Sequence, residues 1–309
     1  MNGPITIGID HGYAAMKTAH SSFPSGIVEY AHEPYTMENV LEYEGKYYVV
    51  GTGRQPLQKD KTLSENYFLL TLAAIAKELT FREADANATV ILAAGLPLTS
   101  FGRDKQAFRK YLLRKGEPIL FRYEQKSYSI TIADVVLFPQ GYSAVLTQPE
   151  LLREPSVIVA DIGGWTVDLM RIDHGVPDAG TCKSLELGMI RCLGSAAERI
   201  RQELGISMSD VQLEYAMTGN AGSMDPRGEE IINAVADEYV ETIISAITES
   251  GLDPRAMPLI VMGGGANLFK RHVPPRVAFC RLFILDDTSL NAKGFERLSS
   301  RVSAECANG

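Results

Sequence analysis

With 309 residues, 45% of them hydrophobic, and a formal charge of −8, the chain is long enough for two medium-sized cores. It is too acidic for a broad DNA-binding face, which needs clustered Lys and Arg, so no direct nucleic-acid contact is expected. No run approaches the roughly 18–20 apolar residues of a membrane helix, and "MNGPITIGID" lacks the basic and apolar regions of a signal peptide, so a cytoplasmic protein without a membrane partner is expected. Four scattered cysteines (Cys182, Cys192, Cys280, Cys306) and five histidines have no metal-ligand spacing.

In chain order, "PITIGID" (4–10) predicts a strand that ends at Asp10-His11-Gly12. The aromatics Tyr30, Tyr35, Tyr43, Tyr47 and Tyr48 read as a half-buried sheet face, and "VLEYEGKYYVVGTG" (40–53) as a hairpin turned at Glu44-Gly45. Three- and four-residue steps of apolar residues predict a helix over 64–79, capped by Ser64 or Asn66. "ATVILAAGLP" (88–97) reads as a strand covered on both faces, "KQAFRKYLLR" (105–114) as helical, and "YSITIADVVLFP" (128–139) as a strand before "QGYSAVL" (140–146) turns toward a helix. After the link "QPELLREPS" (148–156) comes the strand of "VIVADIGGWTVDLMRID" (157–173), then helices over 189–204 and 226–250, the second with Asp225 as N-cap and Pro226 at N1. "PLIVMGGGAN" (258–267) is a buried strand ending in glycines, and "FKRHVPPR" (269–276), the densest basic stretch, reads as a solvated loop.

The two halves echo each other. Asp10-x-Gly12 follows the first strand of one and Asp161-x-Gly163 the first strand of the other, which predicts two related α/β lobes presenting carboxylate-glycine turns to a shared cleft. A strand ending in Asp and Gly places a carboxylate at the sheet edge and lets backbone N–H groups curl around an anion. That arrangement suits a phosphate with Mg2+, which carboxylates hold through oxygen, often by way of its water shell. Lys17, seven residues after Asp10, could return an ammonium to the same phosphate. Each turn alone is also what Asp and Gly form for purely local reasons. "MGGGAN" (262–267) adds a loop against which a flat group can lie on bare backbone. Neither a Walker loop nor a GxGxxG fingerprint after a first strand is present.

"IGIDHGYAAMK", "VIVADIGGWTVDL" and "LIVMGGGANLF", in this order, resemble the phosphate-1, phosphate-2 and adenosine motifs of the actin superfamily of ATPases, and within it most resemble the plasmid-segregating actins of the ParM/StbA type. "GTGR", "SENYFLLTLAAIAKEL", "GLPLTSFGRDKQAFRKYL", "FPQGYSAVL" and "SLNAKGFE" extend the likeness along nearly the whole chain. The resemblance implies an actin-like, ribonuclease H-like fold of two lobes around a nucleotide cleft. Lobe I would be residues 1–150, completed by a C-terminal helix at about 291–309, and lobe II residues 151–290. It implies that Asp10 and Asp161 organise Mg2+ and the attacking water, and that Gly12, Tyr13, Gly163, Gly164, Trp165 and Thr166 grip phosphates together with Lys17. Gly263, Gly264, Gly265 and Asn267 would surround the adenosine, with Glu186 and Gly188 near the ribose or base.

The chain departs from that pattern in places. The phosphate-1 turn has Tyr13, Ala14 and Ala15 where many relatives carry hydroxyls, and Trp165, the single tryptophan, stands where relatives have a small or polar residue, either as packing or as cleft lining. For the water-positioning residue, Gln140 is chosen over Asp134 and Val136, because an amide orients water without being a strong base; its bland alternative is to cap the helix starting near Gly141. Asp168 matches a structural position.

The implied function is a filament-forming ATPase, using Mg-ATP or GTP, that moves plasmid DNA through a DNA-binding adaptor protein, with a homopolymer as its assembled form. A small-molecule kinase of the superfamily would need a second carboxylate base and a longer chain, and a chaperone a substrate-binding domain. A nucleotide-binding scaffold commonly has a membrane-targeting tail, whereas "RLSSRVSAECANG" (297–309) is short and polar.

Overall fold

The computed structural model describes residues 3–53, 60–114, 117–220, 222 and 224–307, without the side chains of 302–307. Arg54 of "GTGR", the Cys306 side chain and residues 308–309 lie outside the described residues. Two compact units divide the chain: residues 1–149 with 289–309, and residues 150–288.

The first unit begins with β1 (Ile5–His11), β2 (Ala15–Thr18), β3 (Ser22–Pro24), β4 (Ile27–Tyr30), β5 (Val40–Tyr43) and β6 (Lys46–Val50). It continues through α1 (Asn66–Phe81), β7 (Asn87–Leu96), α2 (Leu98–Leu113), β8 (Ile119–Tyr123), β9 (Lys126–Pro139) and the short α3 (Tyr142–Val145). The second unit holds β10 (Ser156–Ile162), β11 (Val167–Asp173), β12 (Val176–Leu185), α4 (Met189–Leu204), α5 (Asp210–Met217), α6 (Pro226–Glu249), β13 (Leu259–Met262), α7 (Ala266–His272) and β14 (Leu282–Ile284). The last helix, α8 (Leu290–Ala307), belongs to the first unit.

Each unit is built on one sheet, in the order β3-β2-β1-β7-β9-β8-β5-β6-β4 in the first and β12-β11-β10-β13-β14 in the second. The continuous apolar runs of β1, β7, β10 and β13 occupy the middle of these sheets, where Ile7, Ile9, Leu92, Ile158, Ala160 and Ile260 are fully buried. In the first unit α8 lies directly on β1 and β7. Two glycines permit this: a Cβ on Gly8 would stand 2.0 Å from the Ala292 carbonyl oxygen, and one on Gly95 2.1 Å from the Phe295 ring. The contact is locked by charge, since Glu296 accepts from the Gly8 N–H at 3.0 Å and from Arg82 at 2.8 Å, and Arg82 also holds the buried Glu78 of α1 at 2.8 Å.

Three local expectations are corrected. Helix α1 is capped by neither Ser64 nor Asn66: Glu65 stands at the N-cap with its side chain paired to Arg114 rather than to the helix N–H groups, and the Tyr111 hydroxyl of α2 accepts from the Phe68 N–H at 2.7 Å while donating to the Ser64 carbonyl. "FKRHVPPR" is not simply a solvated loop. Its first half closes α7, with Phe269 buried and His272 bonded to Asp237 and the Met217 carbonyl, while Lys270 and Arg276 pair with Asp286 and Glu241. Tyr48 is buried in the sheet as an inward aromatic should be, whereas Tyr35 is 99% exposed beyond the end of β4.

Candidate functional site

In the first unit, β1 carries Asp10 to the sheet edge while keeping it 6% exposed. The strand turns back immediately into β2, so that Lys17 sits directly across the antiparallel ladder from Asp10, and cross-strand neighbours share a face. Gly12 is required in the turn, because a Cβ there would lie 2.4 Å from the Ala15 carbonyl oxygen. The Tyr13-Ala14-Ala15 turn is braced from behind by the buried Ser25. Its side chain donates to the Tyr13 carbonyl and its N–H to the Ala14 carbonyl at 3.1 Å.

Gln140 reaches the same carboxylate from the end of β9. Its backbone N–H bonds to the Leu96 carbonyl at 2.9 Å, and its Nε2 donates to Asp10 Oδ1 at 2.7 Å. The competing candidate Asp134 is engaged elsewhere, 2.6 Å from Arg109 of α2.

Three residues near Asp10 escaped the sequence reading. His11 is wholly buried, bonds Thr71 through Nε2 at 2.9 Å, and is pushed down to about 3 by burial with help from the Lys61 ammonium. Lys61 donates to the His11 carbonyl and lies 5.6 Å from the centre of the Tyr67 ring. Burial keeps the Tyr67 hydroxyl protonated, and the neighbouring Asp10 carboxylate adds to this. The signal that could have found Lys61 is three-dimensional, because fifty residues separate it from His11.

In the second unit, Asp161, 7% exposed, is the penultimate residue of β10, and Asp168 of β11 stands across the ladder from it. The intervening hairpin is closed by Gly163 N–H to the Thr166 carbonyl at 2.8 Å, and the Thr166 hydroxyl donates to Asp168 at 3.1 Å, which gives Asp168 a structural contact. The hairpin also caps α4: the carbonyls of Trp165, Gly163 and Gly164 accept from the N–H groups of Gly188, Met189 and Ile190 at 2.9, 3.0 and 2.9 Å. Gly188 has no room for a side chain, since its Cβ would lie 2.3 Å from the Trp165 carbonyl carbon.

The glycine loop after β13 meets Asp161 directly. Gly263 adopts φ +88° and leaves a space in which a Cβ would touch Asp161 Oδ1 at 2.3 Å, and the Gly265 N–H bonds to the Ile162 carbonyl at 3.0 Å. Gly264, Asn267 and Glu186 are exposed. Thus Asp10, Gly12, Tyr13, Lys17 and Gln140 gather in one unit, and Asp161, Gly163, Gly164, Trp165, Thr166, Gly188, Gly263 and Gly265 in the other.

No group of three or more His, Cys, Asp or Glu side chains among the described residues makes a cage for a metal. One or two carboxylates near a strand end, short of a closed cage, fit an ion that keeps most of its waters and takes phosphate oxygens, which is the habit of Mg2+.

Residues 8–142 match the model of the N-terminal domain of actin-like proteins, and residues 159–274 that of the C-terminal domain of archaeal, MreB-like actin homologues. Between them the two models account for most of the chain, which belongs to the actin-like proteins of the actin-like ATPase superfamily. Among solved structures it is similar to an archaeal actin homologue in complex with ADP, at 20% identity over 96% of this chain and 99% of that one, with a TM-score of 0.76. It is similar also to the ParM of a 15-stranded filament from Clostridium botulinum (18% identity, 97% and 100% covered, TM-score 0.75) and to Bacillus thuringiensis ParM with ATP (13%, 97% and 100%, 0.69). These identities establish the actin-like fold. No curated protein matches the sequence.

Proposed function

We propose that this chain binds and hydrolyses ATP, polymerises in the nucleotide-bound form, and serves DNA segregation, plasmid partition in particular, through a DNA-binding adaptor. The observation that carries the chemistry is the 2.7 Å bond from Gln140 to Asp10. An amide that gives its NH2 to a carboxylate presents its oxygen as an acceptor, and that oxygen can orient a water by taking one of its protons. Asp161, at the end of the equivalent strand of the other unit, is the second group we assign to hydrolysis. The turns at Gly12-Tyr13 and Gly163–Thr166 supply N–H donors to phosphate oxygens, Lys17 adds a positive charge, and the glycines at 263–265 with Asn267, Glu186 and Gly188 accept the nucleoside. Asp10 and Asp161 would hold Mg2+ through its waters, and the ion when bound neutralises phosphate charge. The loop reads the base largely through backbone, so GTP is an alternative substrate.

Self-association is supported by likeness to two filament structures, one of a ParM and one of Alp12, whereas the adaptor follows only from the sequence resemblance to plasmid-segregating actins. Light scattering and phosphate release, followed together after adding Mg-ATP, test the reading, with Mg-GTP, Mg-ADP and a non-hydrolysed analogue in parallel. Scattering that rises with ATP and falls as phosphate accumulates is expected. Phosphate release without scattering over a wide protein range would reject the filament, and neither signal would reject the enzyme.

A further inference from the structure

The family models end at residues 142 and 274, so α8 lies beyond both, yet its first turn reaches the segment that carries Gln140. Gln140, Gly141 and Tyr142 form a tight three-residue turn: the Tyr142 N–H bonds to the Gln140 carbonyl at 2.8 Å, and Gly141 adopts φ +71° and ψ −58°. Turns of this hand are rare and strained, and glycine is the residue that tolerates the dihedral. Such a turn persists only when its surroundings over-determine it.

Asn291 supplies that constraint. Its side chain is 5% exposed, and its Oδ1 accepts the buried N–H of Gly141 at 2.8 Å across 150 residues of sequence. An N–H can bond only to the amide oxygen, so the orientation of the Asn291 side chain is fixed by chemistry. Around this bond α8 fits the same segment closely. A Cβ on Gly294 would lie 2.4 Å from the Ser143 carbonyl oxygen, and the Phe295 ring stacks on Phe138 with centroids 6.3 Å apart. One residue before the bonded Gly141, the Gln140 side chain meets Asp10. The path from α8 to the carboxylate is therefore Asn291 to Gly141 N–H, through one peptide, to Gln140 and Asp10.

We propose that Asn291 is a positioning residue for hydrolysis: it holds the Gly141 turn so that the Gln140 amide stays on Asp10 with its oxygen available to water. The inference rests on the hydrolytic role given to Gln140 above. Asn291→Ala should lower the rate of phosphate release by about 10- to 100-fold, the scale of a misplaced catalytic group, without changing ATP affinity. Asn291→Asp, which keeps an acceptor and is favoured in the first turn of a helix, should restore most of that rate. In a Gln140→Ala background, Asn291→Ala should add less than about twofold, because residues that act as a unit are not additive.

A crystal structure of nucleotide-free Asn291→Ala gives a readout without turnover, and it should show the Gln140 amide withdrawn from Asp10. If the alanine variant does not fold, Asn291→Ser, which keeps a hydroxyl but not the reach, takes its place. An unchanged Gln140–Asp10 bond, or equal losses in both backgrounds, would overturn the positioning role and leave the role of Gln140 standing. Unchanged turnover in Gln140→Ala alone would overturn both.

Discussion

The two units repeat one arrangement and differ where it matters chemically. β3-β2-β1-β7-β9 in the first and β12-β11-β10-β13-β14 in the second are the same pattern: an antiparallel run of three strands in reverse order, then two strands parallel to the first. Both first strands carry a buried aspartate as their penultimate residue, with a glycine just past the strand end. Across the ladder, however, Asp10 faces Lys17 whereas Asp161 faces Asp168. Opposite charges side by side are stable alone and leave an ammonium for phosphate, while two carboxylates side by side favour a cation. A shared backbone thus carries two different electrostatic settings.

The largest expected effect comes from removing the carboxylate of the doubly acidic side. Asp161→Ala should keep the fold and much of the nucleotide binding but lower phosphate release by about 10²-fold or more. Normal turnover in a folded variant would remove Asp161 from the chemistry and break the contrast. On the other side, Lys17→Met should weaken ATP binding by about tenfold, the scale of one charge-assisted hydrogen bond at a partly exposed site, measurable by isothermal titration. Equal affinities of variant and wild type would show that Lys17 serves only as the ladder partner of Asp10.

The residue after each aspartate sharpens the comparison through pH. His11 occupies the position that Ile162 holds in the second unit, and burial, aided by Lys61, lowers it from 6.5 to about 3. As pH falls below 6.5 the unfolded chain takes up this proton and the folded chain does not, so stability is full above 6.5 and declines down to about 3. The slope is about 1.4 kcal/mol per pH unit for this group. Urea unfolding of the nucleotide-free protein at about pH 6.5 and about pH 5.5 should therefore reveal a loss that His11→Gln lacks, with hydrogen exchange assigning it to β1 rather than β10. Identical acid sensitivity in wild type and variant would contradict the burial cost.

What the sequence made legible is local chemistry. Asp-x-Gly after an apolar strand, Asp225-Pro226 before α6, whose N-cap side chain accepts from the Arg227 N–H at 2.9 Å, and the apolar steps of α4 are each decided within a few residues. Illegible were the groups that reach the site through space: Ser25 behind the Tyr13 turn, Lys61 on the His11 carbonyl, Asn291 on Gly141, and Tyr111 in place of a cap on α1. Their residue types fit many environments, and only the fold selects one. Helix α5 escaped for a different reason. Its capping box, Ser209 with Gln212, is a local signal, but eight residues give too short an apolar period to notice.

The smallest effect tests that distinction at a turn. Among the described residues, three two-residue hairpins share one backbone, with both central residues at positive φ: Glu44-Gly45 (51° and 74°), His174-Gly175 (49° and 81°) and Glu124-Gln125 (48° and 67°). Such turns match the twist of the flanking strands and favour glycine at the second position. The β8–β9 turn lacks that glycine, so its hairpin carried no sequence signal and bears a strained side chain. Gln125→Gly should raise stability by about 0.5–1 kcal/mol, less whatever the contact of Gln125 with Met37 contributes, since relief of the left-handed penalty slightly exceeds the added chain entropy. Gly45→Ala and Gly175→Ala should lower it by a similar amount, one in each unit, because nothing lies within 4 Å of a Cβ at either position and only the dihedral resists. Thermal unfolding of the three variants separates the cases. Destabilisation by Gln125→Gly would mean that the hairpin is held by the Gln125 side chain rather than by its backbone.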